Sequence, residues 1–273
     1  MLGTQRLPVL RMHSAGARAD EDEVVVEEPL ELRVNNSSIA VTMRTPGDDF
    51  DLAAGFLWSE GAVDSLDAIG TMAYCANEDD PAFKNVINVT LASGDCPAQV
   101  RRSGWTSSSC GLCGKATIEA IRQRVPQLRS FCAVRHDVLV SLPARMREQQ
   151  VNFNHTGGIH AAALFDRAGN LLLLREDLGR HNAVDKVLGG ALRGRIDTSG
   201  AVLLVSGRLG FEIAQKAAVA RIPIVASVSA TSSLAVALAE EVGQTAVGFV
   251  RNGSVNIYSH PQRIVDGISK HPD

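Results

Sequence analysis

The stretch GAVLLVSGRLGFEIAQKAAVARIPIVASVSA (residues 200–230) decides the fold. GAVLLVSG and IPIVASVSA are nearly continuous apolar runs, and GFEIAQKAAVAR between them has a helical pattern. Strands without polar alternation are buried on both faces, and a strand–helix–strand order joins parallel neighbours. The rhythm continues on either side. IHAAALFD (159–166) and LLLLRED (171–177) read as strands joined by a turn at 167–170, and GRHNAVDKVLGGAL (179–192) reads as a helix. SSLAVALAEEVG (232–243) is a further helix, and TAVGFVRNGSVNIY (245–258) a hairpin turning at Asn252-Gly253. Residues 155–260 are therefore expected to form a three-layer α/β/α unit around a parallel sheet.

Upstream the pattern is mixed. VVVEEPLELRVN (24–35) and SSIAVTMR (37–44) read as strands joined by a polar turn at Asn35 and Asn36. TPGDDFDLAAGFLWSEG (45–61) predicts a helix over 46–60, with Thr45 as N-cap and Gly61 as stop. Its apolar FDLAAGFLW is assigned to the core. NVINVTL (85–91) is another strand, KATIEAIRQRV (115–125) a helix stopped by Pro126, and PARMREQQVNFNHTGG (143–158) a helix with a glycine break. The resulting division is a flexible tail over 1–22, a smaller α+β lobe over 23–125 and an α/β/α cofactor-binding domain over 126–273.

The chain has 273 residues, 45% of them hydrophobic, enough for one large core or two modest ones. A net charge of −3 gives no basic footprint for nucleic acid. No apolar run reaches the length of a membrane span. Arg, Pro and charge interrupt residues 1–23, which lack the apolar stretch of a secretion signal. The five cysteines Cys75, Cys96, Cys110, Cys113 and Cys132 are an odd set. Together these point to a reducing cytoplasm, where a C-x-x-C pair is chemical more often than structural.

That pair lies in TSSSCGLCGKATIEA (106–120). A helix starting near Gly111 would put Cys110 at its N-terminus, where free N–H groups and the macrodipole favour a thiolate, with Cys113 one turn on. The residues alone allow a metal clip, a disulfide exchanger, a sulfur-carrying site or two inert buried thiols. Structural zinc needs four ligands, and Cys75, Cys96 and Cys132 form no second pair. A thioredoxin-like motif would follow the first strand of a βαβ unit, not a serine-rich loop. GKAT lacks both the first glycine and the magnesium-binding hydroxyl of a phosphate loop: Ser109 and Ala116 stand there.

A polar rim follows. NHTGGIHAAA (154–163) brings Gly157, Gly158 and His160, and REDLGRHNAVDK (175–186) is a dense charged run after four leucines. In it His181 and Asp185 share one helical face. SGRLGFE (206–212) offers Ser206, Gly207 and Arg208, and SVSATSS (227–233) offers Ser229, Thr231, Ser232 and Ser233. These loops follow strands, at the carboxyl ends where open α/β sheets bind ligands. Hydroxyls, open backbone and Arg208 at helix N-termini fit an anion, most simply a phosphate.

The ordered set SSSCGLCGK, TGGIHAA, REDLGRHNAVDKVLG, SGRLGFE, SVSATSSLAVALAEE and VGFVRNGSVNIYSHP resembles the FdhD family, the formate dehydrogenase accessory sulfurtransferases, over about residues 25–265. The resemblance implies a cytidine-deaminase-like larger domain that does not use that fold's zinc and holds no tightly bound metal of its own. It implies sulfur accepted from a cysteine desulfurase as a persulfide on Cys110, with Cys113 its partner. That sulfur would pass to the molybdenum of the bis-(molybdopterin guanine dinucleotide) cofactor before insertion into formate dehydrogenase. The guanine-dinucleotide segment maps onto Phe249, Val250, Arg251, Asn252, Gly253 and Ser254. Two other readings stand beside it. One is a binding-only chaperone for the guanine dinucleotide cofactor. The other is a zinc deaminase, whose H-x-E signature is not met by His160, Ala161 and Ala162. A homodimer is allowed but not specified.

Overall fold

The computed structural model describes residues 3–14, 16–75, 83–94, 125–129 and 132–266. The expected flexible tail is instead an antiparallel hairpin, β1 (Thr4–His13) and β2 (Gly16–Val25), and the boundary drawn at residue 22 falls inside β2. Its strands are charged and exposed, so composition reads as a solvated tail. Pairing comes from the cross-strand ladder and from ions that face each other only in this register: Arg11 reaches Asp20 at 3.1 Å and Asp22 at 2.9 Å.

The next elements are β3 (Glu28–Val34), β4 (Ser37–Arg44), α1 (Asp49–Ser59), β5 (Ile69–Tyr74) and β6 (Val86–Leu91). The strands form a sheet in the order β4-β3-β6-β5, with β3 and β6 parallel and the other pairs antiparallel. Asn35 and Asn36 both adopt positive φ at the β3–β4 turn. Leu52, Ala53, Phe56 and Leu57 of α1 are buried against this sheet, so the apolar helix does serve the core. The start of α1 differs from expectation. Asp48 occupies the N-cap position without a capping side-chain bond. Thr45 is engaged elsewhere: its N–H donates to Asp177 Oδ2 at 3.1 Å and its Oγ1 accepts from the Leu178 N–H at 3.1 Å.

Then follow β7 (Val134–Arg135), α2 (His136–Glu148), α3 (Val151–Thr156), β8 (His160–Phe165), β9 (Leu171–Asp177), α4 (Arg180–Arg193), β10 (Val202–Val205), α5 (Phe211–Val219), β11 (Ile224–Ser227), α6 (Ser233–Val242), β12 (Thr245–Arg251), β13 (Ser254–Ile257) and β14 (Ile264–Val265). The short β7 and β14 pair in parallel. The helix expected from Pro143 starts a full two turns earlier, at His136, with Pro143 in its interior. It is interrupted at Gln149-Gln150 before α3. Among the described residues no helix is long and apolar enough to cross a membrane.

The large sheet runs β13-β12-β11-β10-β8-β9. Only β10, β11 and β12 are mutually parallel neighbours; β8 is antiparallel to both β9 and β10, and β13 to β12. The parallel sheet expected over 155–260 is parallel at β10–β12, carries the two turn-linked pairs read in the sequence at its edges, and departs from expectation in the antiparallel pairing of β8 with β10. Short turns force the reversals at both edges, while a continuous apolar run reports burial rather than direction. Both faces are covered. Ala162, Leu164, Leu203 and Val205 pack with α4, α5 and α6 on one face. Ala163, Phe165, Val202 and Leu204 pack with Leu139, Leu142 and Met146 of α2 on the other.

The two sheets are joined by α1 lying on α4 at backbone contact. A Cβ on Gly55 would sit 1.8 Å from the Asp185 carbonyl oxygen, and one on Gly189 would sit 1.8 Å from that of Asp51. No rotamer relieves such a clash, because both colliding groups are main chain. Gly55→Ala is therefore expected to cost about 3 kcal/mol or more, the upper end for overpacking. Urea unfolding measures this; a loss under about 1 kcal/mol would mean the helices separate freely.

Candidate functional site

The topology brings the polar loops to one edge. The carboxyl ends of β10, β11 and β12 point the same way. Antiparallel β8 pairs Ala162 with Val205, placing His160 there, and β9 pairs Asp177 with His160. At this edge opens a cavity of about 800 Å³. One side is the sheet rim, with His160, Ser206, Val228, Val250, Arg251 and Asn252. The other is the wall made by Val140, Pro143, Ala144, Arg147, Gln150 and Phe153, closed at one corner by Gly157-Gly158. This size lies in the ordinary range for small-molecule pockets.

The β12–β13 hairpin turns at Asn252 (φ 52°) and Gly253 (φ 74°), a pair of left-handed residues that match strand twist. A bulge between Gly248 and Arg251 throws Phe249 into positive φ, 52°. A non-glycine residue there costs on the order of 1–3 kcal/mol. Neighbouring contacts hold it: the Phe249 N–H donates to the Ser229 carbonyl at 2.9 Å, and the Arg251 guanidinium lies 5.0 Å from its ring centroid. Gly248 leaves room for Thr231, whose Oγ1 would be 2.6 Å from a Cβ. The hairpin thus aims Arg251 and Asn252 at the cavity.

Of the residues singled out in the sequence, Ser206, Val250, Arg251 and Asn252 share the cavity with His160. Val250 is fully buried beneath it. Phe249, Gly253, Ser254, Arg208 and Ser229 are not in its lining. Their roles in the described structure are local: Ser254 Oγ donates to the Arg251 carbonyl at 3.1 Å, and the Ser229 N–H donates to Ser227 Oγ at 2.9 Å. Ser206 ties the rim to β8, its Oγ accepting from the Ala161 N–H at 2.9 Å. Ser232 caps α6 through the Ala235 N–H. Cys110, Cys113 and Cys96 lie outside the described residues, as does all but Val125 of the helix expected over 115–125. Of the two described thiols, Cys75 is half-buried and Cys132 is buried, and burial pushes the Cys132 thiol up.

The charged GRHNAVDK block departs from the ligand-facing role its position suggested. Much of it is an internal clamp. Lys186 and Asp177 form a buried pair at 2.8 Å, and Lys186 also donates to the Thr45 carbonyl at 2.8 Å. Asn182 donates to the Met43 carbonyl at 2.7 Å. His181 and Asp185 do share a helical face, and they meet Glu212 at 2.9 Å and Lys216 at 3.0 Å on α5. The His181 hydrogen bond holds the Glu212 carboxyl below its ordinary value of 4.5, against the opposing effect of burial. Stability from this carboxylate is present above that value and lost as pH falls through the lowered one. Wild type is thus expected to exceed Glu212→Gln in unfolding free energy at neutral pH and to lose that margin in acid; a margin independent of pH would refute the pairing. Burial first, then Arg180, pushes the His160 imidazole below its usual range, so it faces the cavity neutral at neutral pH.

The face of α2 and α3 that forms the far wall was missed in the sequence. Its only signal was Val140, Pro143, Ala144 and Arg147 at helical spacing, read as beginning at the proline.

Fold and cavity define an α/β protein with a cavity of small-molecule size at the carboxyl ends of its parallel strands. A family model described as FdhD/NarQ matches residues 25–265. Sulfur carrier protein FdhD of Streptomyces avermitilis is 48% identical, the alignment covering 96% of this chain and 95% of that protein. The protein of the same name from Saccharolobus solfataricus is 43% identical over 95% of this chain and 98% of its own. A crystal structure of a candidate formate dehydrogenase accessory protein from Desulfotalea psychrophila superposes with TM-score 0.78 at 25% identity, covering 96% of this chain and all of that one. The chain belongs to the FdhD/NarQ family.

Proposed function

We propose that the protein is a sulfur carrier serving formate dehydrogenase, with Cys110 as the persulfide-bearing thiol. A cysteine desulfurase persulfide gives its terminal sulfur to the Cys110 thiolate. The loaded persulfide then delivers that sulfur to the molybdenum of the bis-(molybdopterin guanine dinucleotide) substrate: Cys110 leaves as thiolate with the S–S bonding pair, and the transferred sulfur takes two electrons from the reduced metal of the substrate to become its sulfido ligand. The observation that supports this best is the cavity: Arg251, Asn252 and Ser206 converge at a strand-end rim that suits a nucleotide. Relatives named as sulfur carriers, matched over nearly the full chain, point the same way. Likeness of the larger α/β unit to the cytidine-deaminase fold belongs to the same reading.

Incubation with a cysteine desulfurase and cysteine, followed by mass spectrometry of the peptide holding Cys110 and Cys113, tests it. A mass increase of one sulfur atom on that peptide is expected. Its absence, with guanine nucleotide still bound, would leave a protein that holds the cofactor without transferring sulfur.

A further inference from the structure

The two helices of the far cavity wall are held in different ways. Leu139, Leu142 and Met146 anchor α2 in the core. None of the six residues of α3 is buried, and Val151 is 55% exposed. Yet Phe153 and the Gly157-Gly158 corner line the cavity beside His160 and Ser206. Segments with few buried apolar contacts have the lowest local stability and are the ones that open.

Both ends of α3 can turn. The chain breaks from α2 at Gln149-Gln150, where Gln150 leaves helical geometry with φ −80° and ψ 84°. At the other end Gly157 closes the helix in the left-handed region, φ 66°, a conformation that favours glycine. Gly158 does not share that need: it lies outside the left-handed region, and a Cβ there would meet only the Thr156 carbonyl oxygen, at 3.8 Å. A glycine demanded neither by space nor by its dihedral leaves the backbone free to rotate.

Polar ties from three directions hold α3 in place. The Glu176 carboxylate of β9 accepts from the N–H groups of Asn152, at 2.8 Å, and Phe153, at 2.9 Å. Arg147 of α2 donates to Asn154 and lies 4.4 Å from the Phe153 ring centroid. The third tie is the N-terminal hairpin, which packs along α3. Glu23 Oε2 of β2 meets His155 Nδ1 at 3.4 Å, and Thr4 of β1 donates to Glu23 Oε1 at 2.5 Å, fixing the carboxylate between strand and helix. This tie comes from before residue 25, where the family match begins.

We propose that α3 is a lid on the cavity, hinged at Gln149-Gln150 and Gly157-Gly158, and that the hairpin straps it shut. The inference stands on the geometry of the cavity and holds whatever the cavity binds. Lifting on these hinges breaks the two bonds to Glu176. It leaves bonds inside the helix intact, among them Asn154 N–H to the Gln150 carbonyl at 3.1 Å and Gly157 N–H to the Phe153 carbonyl at 2.8 Å.

The test is residue-resolved amide hydrogen exchange on the full chain without ligand, in wild type, Glu23→Ala, His155→Ala, their double variant and Gly158→Ala. In each strap variant the Asn152 and Phe153 amides are expected to exchange about 2- to 5-fold faster, the change a part-exposed polar pair supports. The double variant adds nothing further, because both substitutions cut one contact. The Asn154 and Gly157 amides and those of the large sheet keep their wild-type rates. Gly158→Ala slows exchange at Asn152 and Phe153 by a similar factor, since alanine narrows the freedom of the hinge. Wild-type exchange in both strap variants overturns the strap, and wild-type exchange in Gly158→Ala overturns the hinge. Equal acceleration of all four amides overturns the lid, because α3 would then unravel rather than lift.

Discussion

Cys110→Ala is expected to reduce sulfur transfer to background while leaving the fold and guanine-nucleotide binding unchanged. The proposed reaction passes every sulfur atom through one thiolate, and alanine has no lone pair to attack the incoming persulfide. Loss of a covalent nucleophile removes the path rather than slowing a step. The described lining of the cavity comes from α2, α3 and the strand-end rim, and alanine at position 110 removes one sulfur without touching those residues, so binding there should survive. The readout is formate dehydrogenase activity in cells carrying the variant, alongside GDP titration of the pure protein. Full activation by Cys110→Ala would shift the carrier role to Cys113 or remove the persulfide altogether.

Lys216→Met is expected to destabilise the protein by about 3–5 kcal/mol, the cost of leaving a buried charge without its partner. Lys216 and Asp185 are both nearly inaccessible and 3.0 Å apart. Lys216 also donates to Ser59 Oγ at 2.8 Å and pairs with Glu60 at 3.1 Å, while Ser59 donates to Asp185 at 2.8 Å. Burial opposes the ammonium, but the carboxylates of Asp185 and Glu60 outweigh it and raise the Lys216 pKa, while burial raises the Asp185 carboxyl against the pull of Lys216, so each charge is held by the other. Among the described residues, methionine leaves Asp185 with the Ser59 hydroxyl as its side-chain partner. The double variant Asp185→Leu/Lys216→Met removes both charges and should recover most of the loss, because apolar replacements of buried pairs are often close to neutral. Urea unfolding of the single and double variants measures the coupling. Equal losses in both would show that packing, not charge, sets the cost.

These residues also show where sequence reading stops. His181 and Asp185 could be placed on one helical face from their spacing. That spacing did not say that Glu212 and Lys216, thirty-one residues on in each case, present the same four-residue interval from α5. Charge after an apolar strand looked like a ligand rim and proved in large part to be a clamp, because Asp177 and Lys186 are buried against Thr45 and Asp185 against Ser59 of α1. The N-terminal hairpin was invisible for the opposite reason: its order comes from a ladder and cross-strand ions, and exposed charged strands carry no apolar period.

By itself the amino-acid sequence determined the order of strands and helices from residue 159 to 258, the Asn-Gly turn that aims Arg251 and Asn252, and the ordered motifs that place the chain in its family. Those features are local, written in hydrophobic period and turn chemistry within a few residues of each other. Only the tertiary structure decided the antiparallel pairing of β8 with β10, the backbone contact of Gly55 and Gly189, and the meeting of Gln150 with the rim some fifty to one hundred residues away. Each of these depends on surfaces brought together by burial, and burial is a property of the packed chain rather than of any one segment.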